Sequence, residues 1–360
     1  MNNLSLERQR YWKGLIIIEI RKPPLALVCF DRPEYTEQCA KALANSDSVH
    51  EREIAVFIDG APPPQWESNN AGYQRSETRS IQQRIDIVSQ IIREYLPDAF
   101  QFPAPVNLGI ALNVRRALGW SFSEKSTTFA YLLEDDVVVS PSWFRVMDMV
   151  TDFADSHADI GFFTAHGRER LTQDEQGPFP EQLSYGSAML RATGQSREHF
   201  LKVDAILTPF YQALTGIDYR DKARSRAIMR FKPVFEVLGG RPGALGQDGL
   251  RQWASFNLGY VPVRTHGSWT RYIGIEGIYA TAKFYASKDF SRSYLQVDTP
   301  KALKLPDEET RDECRRQMNR RFTAALAEDN SKSDRFTKRV LQRLNQRVKK
   351  MFKILSFQSH

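Results

Sequence analysis

The strongest constraint on this chain is an alternation in its first half between short, unbroken apolar runs and stretches with helical periodicity. Leu25–Phe30 is one such run, and it stops at Asp31-Arg32-Pro33. Tyr35, Cys39 and Leu43 then recur at helical spacing. Ile54–Ile58 is a second run, ending at Asp59-Gly60, and Ile81, Ile85, Val88, Ile92 and Tyr95 mark the face of a long helix after it. A short segment at Phe100–Phe102 leads to Asn107-Leu108-Gly109, then to a helix pattern of Ile110, Val114 and Leu118. Phe129–Leu133 runs into three acids, Glu134, Asp135 and Asp136. Strands buried on both faces read as continuous apolar runs, and strands alternating with helices form a parallel sheet. The pattern predicts an α/β, doubly wound, mainly parallel sheet.

Ligands of such sheets bind beyond the carboxyl ends of the strands. Here those ends are Asp31-Arg32, Asp59, Asn107 and the triplet Glu134-Asp135-Asp136. A single polar strand end is usually a solvated turn, but four converging on one edge suggest a site. Carboxylates at a strand end can hold Mn2+ or Mg2+ and leave coordination positions for waters and phosphate oxygens. Arg32 is a bidentate donor suited to phosphate, and Asp59 can accept hydrogen bonds from a base or ribose. Neither GxxxxGK[ST] nor GxGxxG follows any of the strands, which disfavours a P-loop ATPase and a Rossmann dehydrogenase.

A first strand ending in Arg32-Pro33, a second in Asp59-Gly60 and a later Glu134-Asp135-Asp136 resemble a GT-A glycosyltransferase of the N-acetylglucosaminyltransferase I type, which uses a UDP-sugar and Mn2+. The stretch NVRRALGWSF at residues 113 to 122 is similar to that family's segment before its DxD-like strand. The likeness runs from about Leu25 to Phe290. It implies that Arg32 contacts the nucleotide, Asp59 the uracil or ribose, and Glu134 and Asp135 the sugar and ribose, with Asp136 as the main protein ligand of the metal. Asn113 stands where the family has a nucleotide-contacting histidine.

The second half is less regular. GALGQDGLRQW, residues 243 to 253, places Asp248 where the resemblance implies the catalytic base of an inverting transferase. By itself Asp248 reads equally as the N-cap of the helix that follows. In THGSWTRYIGIEGIYAT, residues 265 to 281, the glycines and aromatics suit a loop closing over a sugar nucleotide. There Arg271 is a candidate for neutralising a diphosphate. His266 is a candidate further ligand or a structural histidine, and Trp269 either stacks on a sugar or packs in the core. Residues 219 to 232, rich in Arg and Lys, read as a surface helix or a mobile loop.

Charge divides the chain. Residues 291 to 360 hold 17 Lys and Arg against 9 Asp and Glu, leaving 33 against 34 in the first 290. Phe336, Val340, Leu344, Val348, Met351 and Leu355 give residues 333 to 355 an amphipathic helical pattern, with a basic face suited to an anionic membrane surface. A helix docked on the body, or a dimerising one, fits the same pattern. Nucleic acid is disfavoured, because the body supplies no basic groove. No apolar run nears the ~20 residues of a membrane span. Cys29, Cys39 and Cys314 lack metal-ligand spacing and favour a reducing compartment, so the chain reads as cytoplasmic, with peripheral membrane contact open.

The expected organisation is an N-terminal segment (1–22), a nucleotide-sugar-binding half (23–167), an acceptor-binding and catalytic half (168–290) and a basic helical tail (291–360). The expected activity is metal-dependent, inverting transfer from a UDP-sugar to a glycan or glycolipid hydroxyl. The alternatives are a nucleotidylyltransferase of sugar phosphates, whose Gly-rich loop CFDRPEYTE lacks, and a non-catalytic glycan- or nucleotide-binding scaffold.

Overall fold

The computed structural model describes residues 22–64, 79–124, 127–167, 170–186, 190–219, 246–275 and 282–330. Most of the 1–22 segment, the glycines preceding Gly246, most of the 219–232 stretch and the whole 333–355 pattern lie outside these residues.

The alternation of the first half becomes β1 (Leu25–Cys29), α1 (Pro33–Ala44), β2 (Ile54–Ile58), α2 (Ile81–Tyr95), β3 (Phe100–Pro103), α3 (Gly109–Gly119) and β4 (Phe129–Glu134). Local chemistry sets the helix starts. Pro33 occupies the first turn of α1, where its missing N–H costs nothing. Ser80 caps α2 in a reciprocal box: its Oγ accepts from the Gln83 N–H at 3.2 Å, and its own N–H donates to Gln83 Oε1 at 2.9 Å. Beyond β4 come β5 (Val137–Val139), α4 (Trp143–Asp155), β6 (Ile160–Thr164), β7 (Leu183–Tyr185), β8 (Ala192–Ser196), α5 (Arg197–Leu214), α6 (Gln247–Asn257), β9 (Val261–Thr265), β10 (Thr270–Tyr272), α7 (Ala282–Ser287) and α8 (Glu308–Asn330).

Eight strands form one sheet in the order β3-β2-β1-β4-β8-β6-β9-β7. β1 to β4 are parallel, β8 runs antiparallel between β4 and β6, β9 lies parallel to β6, and β7 closes the edge antiparallel to β9. The expected mixed α/β, mainly parallel architecture is therefore present, and one sheet carries both expected halves.

Strand periodicity sorts the core into two layers. Leu25, Leu27, Val56, Tyr131 and Leu133 pack with Cys39, Leu43, Ile85, Val88, Ile92, Val146 and Met147 of α1, α2 and α4. Ala26, Val28, Phe57, Ala130 and Leu132 face the other way, onto Val114 and Leu118 of α3 and Phe200 of α5. Burying each large apolar side chain contributes about 1.5–3 kcal/mol, so both helical layers are held strongly to the sheet.

The first part of the expected basic tail is docked on the body. Residues 290–304 strap across the sheet edge, where the Val297 carbonyl accepts from Ser142 Oγ at 2.6 Å. The Asp298 carbonyl accepts from Trp269 Nε1 at 2.9 Å. Trp269 is thus a core residue, which settles the choice between core packing and sugar stacking. α8 follows, with Cys314 and Met318 buried and Arg311 and Arg315 donating to Asp159 at 3.1 and 2.6 Å. No helix among the described residues is long and apolar enough to cross a membrane.

Candidate active site

The acid triplet straddles the sheet edge. Glu134 is the last residue of β4, on the face of Ala130 and Leu132, whereas Asp135 turns to the opposite face. There Asp135 meets α1: Thr36 Oγ1 donates to Asp135 Oδ2 at 3.3 Å. Arg32, at the end of β1, forks onto the pair, one Nη2 bonded to Asp135 Oδ1 and Nη1 donating to Asp136 Oδ2 at 2.7 Å. The guanidinium carbon lies 5.5 Å from the centre of the Tyr35 ring. The repulsion among the acids is therefore answered within the chain by Arg32, the residue expected to meet the nucleotide. Burial still holds the Asp135 carboxyl above its ordinary range, against the pull of Arg32.

Glu134 looks into the α3–α5–α6 layer. Its pKa is pushed up to about 8 by burial first, then by the charges of Asp136 and Asp248, with Arg191 and Arg32 opposing. Asp248 thus reaches the acid cluster from the first turn of α6. Its carboxyl is also raised by burial, against Arg251 and Arg191, and its Oδ1 is buried without a hydrogen-bond partner. The N-cap position of α6 is Gly246, two residues before Asp248, and no side chain caps the helix, so Asp248 does not play the capping role considered for it.

Two residues of the cluster carry no local sequence signal. Arg191 stacks 3.8 Å from the centre of the Tyr272 ring, and its carbonyl accepts from the Glu134 N–H at 2.9 Å. Tyr272 arrives because β10 pairs antiparallel with β5, directly after the triplet, and the Ile273 N–H donates to the Asp136 carbonyl at 2.9 Å. The Tyr272 hydroxyl is raised to about 12 by burial and then by Asp136. The segment expected to be a closing loop thus includes a strand fixed to the triplet. Arg271 lies on this strand between buried Thr270 and Tyr272 and is exposed on the opposite face of the ribbon. Its charge reaches the Tyr285 hydroxyl.

Asp59 has another task at the same edge. Its Oδ1 accepts from the Gly60 and Leu108 N–H groups at 2.9 and 2.7 Å, and its Oδ2 accepts from the Gly109 N–H at 2.9 Å and Asn107 Nδ2 at 3.3 Å. These four bonds fold the Asn107–Gly109 loop over β2, and any nucleotide contact competes with them. Gly109 sits at φ +74, where a Cβ would also lie 2.7 Å from Tyr219. Burial outweighs those bonds and raises the Asp59 pKa to about 6. Asn113 is buried; its Nδ2 donates to the Phe57 carbonyl at 2.9 Å, and its Oδ1 is unmatched. Asn113 therefore ties α3 to the end of β2.

The residues fit a shared metal rather than an enclosed one. Among the described residues no group of three or more His, Cys, Asp or Glu side chains can hold an ion, which leaves His266 without a ligand set. Asp136 has one buried oxygen, Oδ1, without a hydrogen bond. One free carboxylate oxygen suits a divalent cation whose other ligands are diphosphate oxygens and water.

No protein-family model and no curated sequence matches this chain. Among solved structures, S. aureus TarS is similar at 12% identity and a TM-score of 0.38, over 86% of this chain and 44% of that one. An active-site mutant of LgtC is similar at 13% identity and a TM-score of 0.31, over 68% of this chain and 86% of its own. A cytidylyltransferase from Leptospira borgpetersenii is similar at 11% identity and a TM-score of 0.30, over 60% of this chain and 72% of its own. These are distant likenesses of shape, and the roles of residues rest on the side chains themselves.

Proposed function

We propose that this chain is a glycosyltransferase of the GT-A kind, moving a sugar from a UDP-sugar to a hydroxyl of a glycan or glycolipid. The observation that carries this reading is the buried, unpartnered Oδ1 of Asp248 in the first turn of α6, a carboxylate within electrostatic reach of Glu134 at the carboxyl edge of the sheet. A buried carboxylate with one unmatched oxygen and a raised pKa has the character of a general base. In the reaction the acceptor oxygen bonds to the anomeric carbon while Asp248 takes its proton. The bond from that carbon to the diphosphate oxygen breaks, and UDP leaves with the electron pair, inverting the centre.

Asp136, through Oδ1, would hold Mn2+ or Mg2+, which supplies positive charge to the diphosphate as it leaves. Arg32 and Arg191 supply fixed positive charge beside the acids, and the Tyr272 ring packs on the Arg191 guanidinium. The finer likeness to the N-acetylglucosaminyltransferase I type rests on the order of Arg32-Pro33, Asp59-Gly60 and Glu134–Asp136. A nucleotidylyltransferase is less well served, because β1 passes through Asp31 and Arg32 directly into α1, with no glycine loop to wrap a triphosphate. Asp31 is itself held by Arg84 at 2.6 Å.

The test is a pair of variants assayed for UDP binding and for UDP release from UDP-sugars. Asp248→Asn should bind UDP with Mn2+ normally and turn over about 10²-fold more slowly or worse. Asp136→Asn should lose the Mn2+-dependent part of UDP binding. Normal turnover by Asp248→Asn would remove the base from this scheme. A wild-type chain that binds UDP without releasing it from any UDP-sugar would be a scaffold.

A further inference from the structure

β8 has an unusual composition for its place. Its sequence is Ala192-Thr-Gly-Gln-Ser196, yet it lies in the middle of the sheet between β4 and β6 and is buried over its first four residues. Central strands covered on both faces are normally apolar. Packing explains Gly194, where a Cβ would come within 2.1 Å of the Phe163 ring. It does not explain Thr193 and Gln195, which face the other way, opposite Leu132 and Ala130 of β4. That row of side chains continues along β4 to Glu134.

Both residues are 1% exposed, and Thr193 Oγ1 and Gln195 Nε2 have no hydrogen-bond partner. Gln195 Oε1 accepts from Arg251 Nη2 at 3.3 Å, while Arg251 Nη1 is unmatched. Gln247 Oε1 and Asp248 Oδ1, one turn back along α6, are unmatched as well. Buried polar groups almost always find partners. Five such atoms without partners lie on this row of β8 and on the first turns of α6, where Asp248 also stands, and the Arg251–Gln195 bond joins the two elements. They include donors (Arg251, Gln195), acceptors (Gln247, Asp248) and a hydroxyl that does either (Thr193). That mixture complements the hydroxyl edge of a pyranose.

We propose that Thr193, Gln195, Gln247 and Arg251 read the hexose of the donor and set which UDP-sugar is used. This rests on the glycosyltransferase reading. The donor sugar is favoured over the acceptor sugar because the row begins at Glu134, beside the acids assigned to the diphosphate to which the donor hexose is attached.

Thr193→Val is the informative variant, since it keeps the shape and removes a hydroxyl that makes no hydrogen bond in the fold. Calorimetry with Mn2+ would compare UDP with UDP-glucose, UDP-galactose, UDP-N-acetylglucosamine and UDP-N-acetylgalactosamine on the full chain. The variant should melt at or above the wild-type temperature and bind UDP unchanged. It should bind the preferred UDP-hexose roughly three- to tenfold more weakly, the loss of one hydrogen bond. Gln247→Leu should shift the same pair of affinities in the same direction. Unchanged UDP-hexose binding in both variants overturns the proposal and leaves these groups to water. An equal loss for UDP, a rise confined to the acceptor KM, or a wild-type chain that binds UDP but no hexose more tightly overturns it too. A wild-type chain that fails to bind UDP refutes the glycosyltransferase reading instead.

Discussion

Replacing Arg32 by Met tests whether the acid triplet is a charge site or only a turn. Asp135 and Asp136 are 1% and 4% exposed, and the Arg32 fork is the cation bonded to both. Methionine preserves much of the stem and deletes the charge. Two buried carboxylates then face each other beside Glu134 with their partner gone, and breaking a buried pair from one side costs about 3–5 kcal/mol. Urea unfolding of the wild-type chain and Arg32→Met in metal-free buffer should show that difference. Mn2+ should then restore much of the loss in the variant, since a ligand at a hundred times its Kd adds about 2.7 kcal/mol. The wild-type chain should gain less from Mn2+ alone, because the Arg32 charge bonded to Asp136 Oδ2 opposes a second cation at Oδ1. A variant within about 1 kcal/mol of wild type, or one that Mn2+ does not stabilise, would refute the argument, since ordinary surface changes stay within ±0.5 kcal/mol.

Asp59 predicts a pH dependence. Its folded pKa of about 6 lies above the ordinary 3.8, so its contribution to stability is full below pH 4 and is lost as the pH rises through 6, by about 3 kcal/mol. Denaturant titrations at pH 4 and 7 should show this loss in wild type and its absence in Asp59→Asn; parallel slopes would count against it. For the tail, deleting residues 331–360 should preserve the melting temperature and UDP binding but release the chain from anionic vesicles, each Lys or Arg there being worth about 1 kcal/mol. A full-length chain that does not bind anionic vesicles, or vesicle binding that survives the deletion, would overturn the membrane reading of the tail. Deleting from Glu308 onward also removes α8 and should lower stability, because the apolar surface that Cys314 and Met318 cover is exposed and Asp159 loses Arg311 and Arg315.

The parts of this molecule that the sequence discloses are those whose causes are local. β1, β2 and β4 announce themselves because a strand covered on both faces needs an unbroken apolar run, and the polar residues that end those runs mark the carboxyl edge. β8 escapes that logic: Thr193 and Gln195 are buried yet polar, and only their neighbours Leu132, Ala130 and Arg251 explain where they lie. The triplet is visible as three acids, but a strand's two-residue period sends Glu134 and Asp135 to opposite faces, toward Asp248 in one case and toward Thr36 and Arg32 in the other. Asp59 is visible as a strand-end acid. Three of its four partners, however, are main-chain N–H groups, of Gly60, Leu108 and Gly109, which no side-chain pattern betrays. Arg191 and Tyr272 reach the cluster through strand pairing and ring packing across long stretches of chain. The hidden residues therefore share one property: each is polar or charged, buried or half-buried, and placed by groups remote in sequence. Local agreement between pattern and structure builds the scaffold, and departures from it gather around Glu134 and Asp248, where a binding site would use them.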